Sequence, residues 1–158
     1  MADADELLAA MRRYASGIAV LTVVDDGRPL GATVGSLVSL SLEPPLVGVS
    51  IGVHSPLHTP LEASGEFVLS LLAGDQAEVA QHLARGGMPP LALWTGVPLR
   101  PDVPGPPRVD AALAWLACSV WATYAAGDHS LFVGRVDDVE LGRRAPALVY
   151  VDGEYRPA

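Results

Sequence analysis

Histidine and cysteine are the residues of this chain best suited to acid–base, nucleophilic or metal chemistry, and they are few. The 158 residues include four histidines and one cysteine. A lone Cys118 excludes an intramolecular disulfide and a zinc site built on several thiolates. It stands among apolar residues with no base beside it, so we expect a buried thiol and not a nucleophile. All ten basic residues are arginine, which excludes Schiff-base chemistry and a P-loop lysine.

The histidines do not predict a metal site. His54 and His58 have a spacing that places two side chains on one helical face, but prolines interrupt the segment and no third ligand is nearby. We therefore expect this pair to lie on the surface or to line a pocket. His82 falls in the middle of a predicted helix, where we expect it to be solvated. His129 stands in the turn Gly127-Asp128-His129. Aspartate and glycine are common in plain turns, whereas histidine is less expected there and could face an anionic ligand.

A segment rich in glycine and small hydroxyl residues is more informative. Residues 31–36 read Gly-Ala-Thr-Val-Gly-Ser, which would pack poorly as an ordinary strand. In an extended chain Thr33 and Gly35 share one face. Two interpretations stay open: the glycines let a ligand approach the backbone, or they form bulges at the corner of a barrel. The short helix that follows Ile51 has free N–H groups at its start and is a candidate phosphate site, although most capped helices bind nothing.

Hydrophobic runs bounded by turn residues predict the elements that carry these positions. Helices are expected at residues 3–15 and from a start at Ser55-Pro56, or at the capping box Thr59-Pro60-Leu61-Glu62, to about 64. A third is expected at 75–85, between a cap at Asp75 and a terminating Gly86-Gly87. Strands are expected at residues 18–24, 30–42, 46–51, 67–72, 112–125, 130–140 and 147–155. Residues 88–108 hold seven of the 14 prolines and are predicted to form an irregular surface loop.

Because hairpins outnumber crossovers, this order predicts a mostly β protein with short helices at the ends of an antiparallel barrel. We expect a single domain over residues 1–158, since its length suits one hydrophobic core. The net charge of −8 and the lack of a basic stripe argue against a nucleic-acid partner. No apolar run approaches the length of a spanning helix and no signal peptide is visible, so we expect no membrane association and a cytoplasmic protein.

Four segments together resemble the flavin reductase family, whose members reduce free FMN or FAD with NADH or NADPH. Residues 11–20 look like the family's opening helix and strand, and residues 31–46 like its flavin-binding strand and following turn. Residues 112–118 and 127–134 look like two later signature strands. The resemblance covers nearly the whole chain.

This resemblance implies a Greek-key split β-barrel of the FMN-binding type, a homodimer, and a partner monooxygenase that receives reduced flavin. It also implies a flavin site and, at His129, contact with the nicotinamide as the catalytic position. The implied flavin-binding residues are Thr33, Val34, Gly35, Ser36, Ser50, Ile51, Gly52, Ser55 and Arg85.

Two positions and one segment depart from the family's pattern: the segment after Arg85 lacks the family's usual charged and aromatic stretch. Gly35 stands where members commonly have asparagine, and Leu57 stands where a hydroxyl residue is common. We therefore expect flavin to bind as an exchangeable substrate. The alternatives are a flavin- or ligand-binding barrel without reductase activity and a barrel repurposed for another reaction on an aromatic metabolite.

Overall fold

The computed structural model describes all residues from Met1 to Ala158, and it is mostly β with short helices, as the sequence predicted. The four helices are α1 (Ala4–Met11), α2 (His58–Ser64), α3 (Ala77–Leu83) and α4 (Pro90–Leu93). The ten strands are β1 (Ser16–Gly17), β2 (Ala19–Asp25), β3 (Arg28–Val34), β4 (Val38–Leu42), β5 (Pro45–Gly52), β6 (Glu66–Leu71), β7 (Ala114–Ala126), β8 (His129–Leu141), β9 (Leu148–Val151) and β10 (Glu154–Pro157). No helix combines the length and the apolar character needed to cross a lipid bilayer.

Seven strands form one antiparallel sheet in the order β3-β2-β6-β7-β8-β5-β4. The β2–β3 hairpin turns at Asp26 and Gly27, both with positive φ, a conformation that glycine adopts without steric cost. The inward faces of these strands bury one apolar cluster, in which Leu21, Phe67 and Phe132 are almost fully buried. Hydrogen-bonded pairing does not join β3 to β4, so the sheet is open at this seam.

The predicted strand at residues 30–42 is wrong as one element, because it is divided into β3 and β4 by residues 35–37. The hydroxyl of Ser36 donates to the carbonyl oxygen of Ser50 and accepts from its N–H, both at 3.0 Å. This side chain takes the hydrogen bonds that a ladder partner would otherwise make for Ser50. The chain thus leaves β3 and returns as β4 on the far side of β5.

The prediction of a single last strand over residues 147–155 is also wrong. It is a hairpin of β9 and β10 that turns at Asp152 and Gly153 and pairs with β1 in a separate three-stranded sheet. This sheet and α3 cover a second apolar cluster that includes Val20, Leu83 and Leu148. The second cluster therefore packs the helix and the small sheet against the large one.

The helix caps predicted at Thr59 and Asp75 differ from the structure. The helix after Ile51 begins at His58, with Leu57 at the cap position and no side-chain cap, so Thr59 and Pro60 lie inside it. At the next helix Gln76, not Asp75, precedes the first turn. The Gln76 amide is committed elsewhere: it accepts from Ala73 N and donates to the carbonyl oxygen of Asp110.

The proline-rich loop is irregular, as predicted, apart from α4, and two arginines attach it to β8. The guanidinium groups of Arg100 and Arg108 contact the same carboxylate oxygen of Glu140, at 2.7 and 3.0 Å. Arg100 also lies 4.5 Å from the centre of the Trp115 ring, a cation–π distance. Hydrogen bonding to Arg100, above all, holds the pKa of Glu140 below its usual value, so the carboxylate remains ionised and keeps the loop in place.

Candidate functional site

A cleft of about 310 Å³ lies where β3, the start of α2, the end of α3 and α4 meet. No acidic residue lines it, and half of its lining residues are hydrophobic. The lining residues are Leu30, Gly31, Ala32, Ser55, Pro56, Leu57, Leu83, Ala84, Arg85, Gly86, Gly87, Met88, Pro90 and Leu93. An apolar concavity with a few polar groups at one end is the usual form of a small-molecule site.

Two side chains hold α4 over this cleft. The His82 Nε2 atom lies 3.2 Å from the carbonyl oxygen of Ala92 and 3.0 Å from that of Leu93. Since both oxygens can only accept, Nε2 carries the ring proton. Trp94 donates its indole N–H to the carbonyl oxygen of Pro29 at 3.1 Å. The expectation that His82 is solvated is therefore wrong, because its ring fixes the wall of the cleft.

The glycine at the start of the small-residue segment serves this same wall. A Cβ atom at Gly31 would lie 2.7 Å from the Trp94 ring, a distance that real side chains do not tolerate. The group that approaches the backbone here is therefore an indole of the chain itself. This is the structural reason that the segment begins with glycine.

Of the predicted flavin-binding residues, Ser55 and Arg85 line the cleft together. The Ser55 hydroxyl oxygen accepts from Leu57 N at 3.2 Å, so its own proton is free to be donated. Arg85 is exposed and is not among the arginines that form ion pairs. A free hydroxyl donor and an unpaired guanidinium fit a phosphate group, so the residues present suit the phosphate end of a flavin.

The other residues of the small-residue segment point elsewhere. Thr33 donates its hydroxyl to the carbonyl oxygen of Ala80 in α3 at 2.7 Å, and Val34 is buried in the main core. A Cβ atom at Gly35 would lie 3.1 Å from the Ser16 hydroxyl. Ser36 is bound to Ser50, and none of residues 33–36 is among those that line the cleft.

A second group of predicted residues meets at the end of β5. Gly52 pairs with His129 across the β5–β8 ladder, and a Cβ atom at Gly52 would lie 3.8 Å from His129 Nε2. Val53 N donates to the carbonyl oxygen of Asp128 at 3.0 Å. Ile51, by contrast, belongs to the buried core. The structure thus brings Gly52 to the predicted hairpin and leaves Ile51 in a packing role.

His129 is half-exposed, with its Nδ1 atom 2.7 Å from the Asp128 carboxylate. The hydrogen bond from the His129 ring is the largest cause that holds the pKa of Asp128 below its usual value. An ionised carboxylate only accepts, so Nδ1 carries a proton and Nε2 is left free. A neutral His129 therefore presents an acceptor at Nε2, which suits a carboxamide N–H, and a protonated His129 presents a donor, which suits a phosphate oxygen.

Leu57 and Cys118 belong to the core. Leu57 is 3 % exposed and Cys118 is buried in the same cluster. Burial raises the pKa of the Cys118 thiol to about 12, so it carries no thiolate at neutral pH. No group of three or more His, Cys, Asp or Glu side chains is arranged to hold a metal ion.

Sequence reasoning missed the parts of the cleft that depend on long-range packing. Gly86 and Gly87 were recognised only as the end of a helix, and Met88, Pro90 and Leu93 only as loop. The sequence offered one usable signal, a glycine pair followed by an apolar stretch directly after Arg85. That pattern is common in loops, and only the contacts of α4 give it meaning.

Comparison with protein-family models matches residues 11–158 to the flavin reductase like domain. The chain is 39% identical over 147 residues to the reductase component of 4-hydroxyphenylacetate 3-monooxygenase from Thermus thermophilus, covering 93% of this chain and 91% of that protein. It is also 39% identical over 150 residues to the NADH:riboflavin 5′-phosphate oxidoreductase of Streptomyces pristinaespiralis, covering 89% of this chain and 80% of that protein.

Among solved structures, the flavin reductase component of a bacterial two-component tryptophan halogenase superposes with a TM-score of 0.89. That protein is 36% identical to this chain, and the superposition covers 98% of both chains. Likeness of this extent concerns the whole fold.

Proposed function

The chain belongs to the flavin reductase-like family, and on this premise we propose that it is an NADH:flavin oxidoreductase that supplies reduced flavin to a separate monooxygenase. The observation that carries the proposal is the family match from residue 11 to residue 158. The names of the relatives support it: one is the reductase component of a monooxygenase and another an NADH:riboflavin 5′-phosphate oxidoreductase. The proposed enzyme reduces FMN or FAD, and the names of the relatives favour NADH over NADPH as its reductant.

The chemistry is a hydride transfer in which NADH is oxidised to NAD⁺ and the flavin, with one proton from solvent, is reduced. The protein's contribution is to bind and orient two rings, so it needs no nucleophile of its own. We assign the flavin phosphate to Ser55 and Arg85, which line one cleft. Residues 33–36 and 50–52 provide the backbone along the rest of the flavin, and His129 contacts the nicotinamide.

A steady-state assay tests this function. Oxidation of NADH by the purified protein should depend on added FMN or FAD and should saturate with both substrates. Flavin binding without NADH oxidation would favour the alternative of a binding protein without reductase activity.

We further propose that residues 1–158 form one domain and that the open seven-stranded sheet is the family's split barrel of Greek-key type. We also propose that the protein works in the cytoplasm, where NADH and flavin-dependent oxygenases meet.

Flavin is expected to exchange freely, so the protein should purify nearly colourless. Ser55 and Arg85 are the only side chains with spare polar groups that line the cleft, and about 1.5–3 kcal/mol for each charge-assisted hydrogen bond suits micromolar more than nanomolar binding. Fast release also suits delivery to an oxygenase. Absorbance spectra after extended dialysis check the prediction, and a yellow protein that keeps stoichiometric flavin would contradict it.

We propose that the protein is a homodimer, assembled through an apolar face on β4, β5, β7 and β8. Val38 and Leu40 of edge strand β4 are exposed, and their side chains meet that of Leu131 over Gly48. Leu131 in turn pairs with the exposed Tyr124. An exposed apolar patch of this kind, beside an unpaired strand edge, is typical of a protein interface.

A dimer would appear in light scattering as a particle of twice 16.4 kDa. Leu40→Glu should convert it to a monomer, because the new carboxylate would lose its hydration if it were buried in the interface. Leu91→Glu is the matched control, since Leu91 is an exposed leucine on α4 and not on the strands of this face. A wild-type particle of 16.4 kDa at micromolar concentration would exclude the dimer.

A further inference from the structure

His58 makes a specific contact that the proposed chemistry does not use. It is the first residue of α2, and its side chain is 13 % exposed. Its Nε2 atom lies 2.8 Å from the hydroxyl oxygen of Ser130, a buried residue of β8. The ring also packs edge-on against Phe132, with ring centres 5.2 Å apart and an interplanar angle of 72°. Packing and hydrogen bonding together hold this imidazole in one orientation.

The contact joins the two halves of the proposed site. On one side, His58 N donates to the carbonyl oxygen of Ser55 at 3.0 Å, so His58 closes the turn that presents the Ser55 hydroxyl. On the other side, Ser130 directly follows His129, and it pairs with Ile51 next to the pair of His129 and Gly52. The side-chain hydrogen bond therefore adds to the backbone bond from Val53 N to Asp128 O in linking the turn assigned to the flavin phosphate with the hairpin assigned to the nicotinamide.

Only one charged group is recorded close to this imidazole. The Glu62 carboxylate, one helical turn further along α2, lies 3.8 Å from His58 Nδ1 and is exposed. It favours the tautomer with the proton on Nδ1, which leaves Nε2 as the acceptor for the Ser130 hydroxyl. The buried Ser130 hydroxyl makes its one side-chain hydrogen bond to His58, so breaking the contact would leave a buried polar group without a partner, which is costly.

We propose that His58 is a positioning residue whose hydrogen bond to Ser130 sets the distance between the flavin-phosphate turn and the His129 hairpin. This rests on the proposed function, because it assumes that the two substrates occupy those two places. Hydride transfer depends on ring placement to within about 1 Å, and a misplacement of that size can cost about 10²-fold in rate. Loss of this hydrogen bond should therefore lower the rate of hydride transfer and weaken the effect of one bound substrate on the affinity for the other.

The first test uses binding and needs no turnover. NAD⁺ is titrated by calorimetry into the protein with and without saturating FMN. In the wild type we expect NAD⁺ to bind at least about fivefold more tightly when FMN is present, because the flavin ring completes the surface on which the nicotinamide stacks. In Ser130→Ala this ratio should fall below about twofold, and Ser130→Thr, which keeps the hydroxyl, should restore it.

The matched control is Ser64→Ala. Ser64 ends α2 and donates its hydroxyl to the carbonyl oxygen of Glu66 at 2.9 Å, so its loss removes a serine hydrogen bond at the far end of the same helix, with no link to β8. Both variants should lower Tm slightly, and only Ser130→Ala should lower kcat, by about five- to twentyfold with KM values within twofold of wild type. The double variant His58→Ala/Ser130→Ala should be no slower than the slower single variant.

A Ser130→Ala protein that keeps both the wild-type NAD⁺ affinity ratio and the wild-type kcat would overturn the proposal and leave His58 with a packing role only. Additive losses in the double variant would also overturn it, since the two side chains would then act separately. A wild-type protein that binds FMN and NAD⁺ but does not reduce flavin would instead refute the proposed function. The ratio of NAD⁺ affinities with and without FMN would then decide alone whether the hydrogen bond between His58 and Ser130 couples the two binding places.

Discussion

His129→Ala is expected to lower kcat/KM for NADH by about ten- to hundredfold, equivalent to about 1.4–3 kcal/mol of transition-state stabilisation. The reason is geometric: Asp128 occupies Nδ1 of the His129 ring, which leaves Nε2 directed to a partner outside the hairpin. Removing the ring takes away the contact that Nε2 makes with the nicotinamide and leaves the cleft around Ser55 intact. KM for NADH should therefore rise, whereas the Kd for FMN should change by less than about twofold.

Asp128→Asn provides the matched control for this variant. It keeps the size of the side chain that contacts Nδ1 but removes its charge, so the ring stays in place with a weaker orienting bond. We expect a smaller loss of kcat/KM than in His129→Ala. An unchanged KM for NADH together with weakened FMN binding in His129→Ala would transfer His129 from the nicotinamide to the flavin.

Arg85→Ala is expected to weaken FMN binding by about tenfold at moderate ionic strength and by up to about a hundredfold at low salt, which is the range for a charge-assisted hydrogen bond. The exposed guanidinium explains the salt dependence, because solvent ions screen it readily. Fluorescence titration of FMN at two salt concentrations measures both effects. Riboflavin, which lacks the phosphate, should bind the variant and the wild type alike.

Arg144→Ala controls for overall charge, because Arg144 is also exposed and outside the recorded ion pairs but does not line the cleft. It should leave the Kd for FMN within about twofold of wild type. Equal weakening of FMN and riboflavin in Arg85→Ala would show that the arginine supports the shape of the cleft and does not contact the phosphate.

Local patterns in the sequence were sufficient to predict most strands of the main sheet. Asp26-Gly27 and Gly127-Asp128 are short-range turn signals flanked by apolar runs, and both hairpins form as expected. The division at residues 35–37 could not be predicted in the same way. It depends on the Ser36 hydroxyl reaching the backbone of Ser50, and a partner 14 residues away leaves no local signal.

The candidate site was predictable only in part for the same reason. Ser55 and Arg85 were identified through the family resemblance, and they do meet in one cleft. The wall opposite them depends on His82 and Trp94, which hold α4 through backbone carbonyl groups. Every residue has a backbone carbonyl group, so the sequence contains no signal that shows which acceptors these two side chains bind.

Leu57 illustrates how a comparison of residue types differs from the structure. A leucine at a position where the family resemblance implies a hydroxyl residue suggests a missing contact to the ligand. Its side chain is instead packed in the main core, while its N–H donates to the Ser55 hydroxyl oxygen. The backbone N–H of Leu57 therefore orients the Ser55 hydroxyl that we assign to the flavin phosphate, and the Leu57 side chain stabilises the turn by packing in the core.

Anaerobic mixing of a catalytic amount of the protein with excess NADH and FMN tests the central claim most directly. With oxygen excluded, the losses of NADH absorbance and of oxidised FMN absorbance should be equimolar, and neither should occur when the protein is omitted. Admission of air should restore the FMN absorbance but not the NADH absorbance. Unchanged NADH in the presence of protein-bound FMN would contradict the assignment as a flavin reductase and leave a flavin-binding protein.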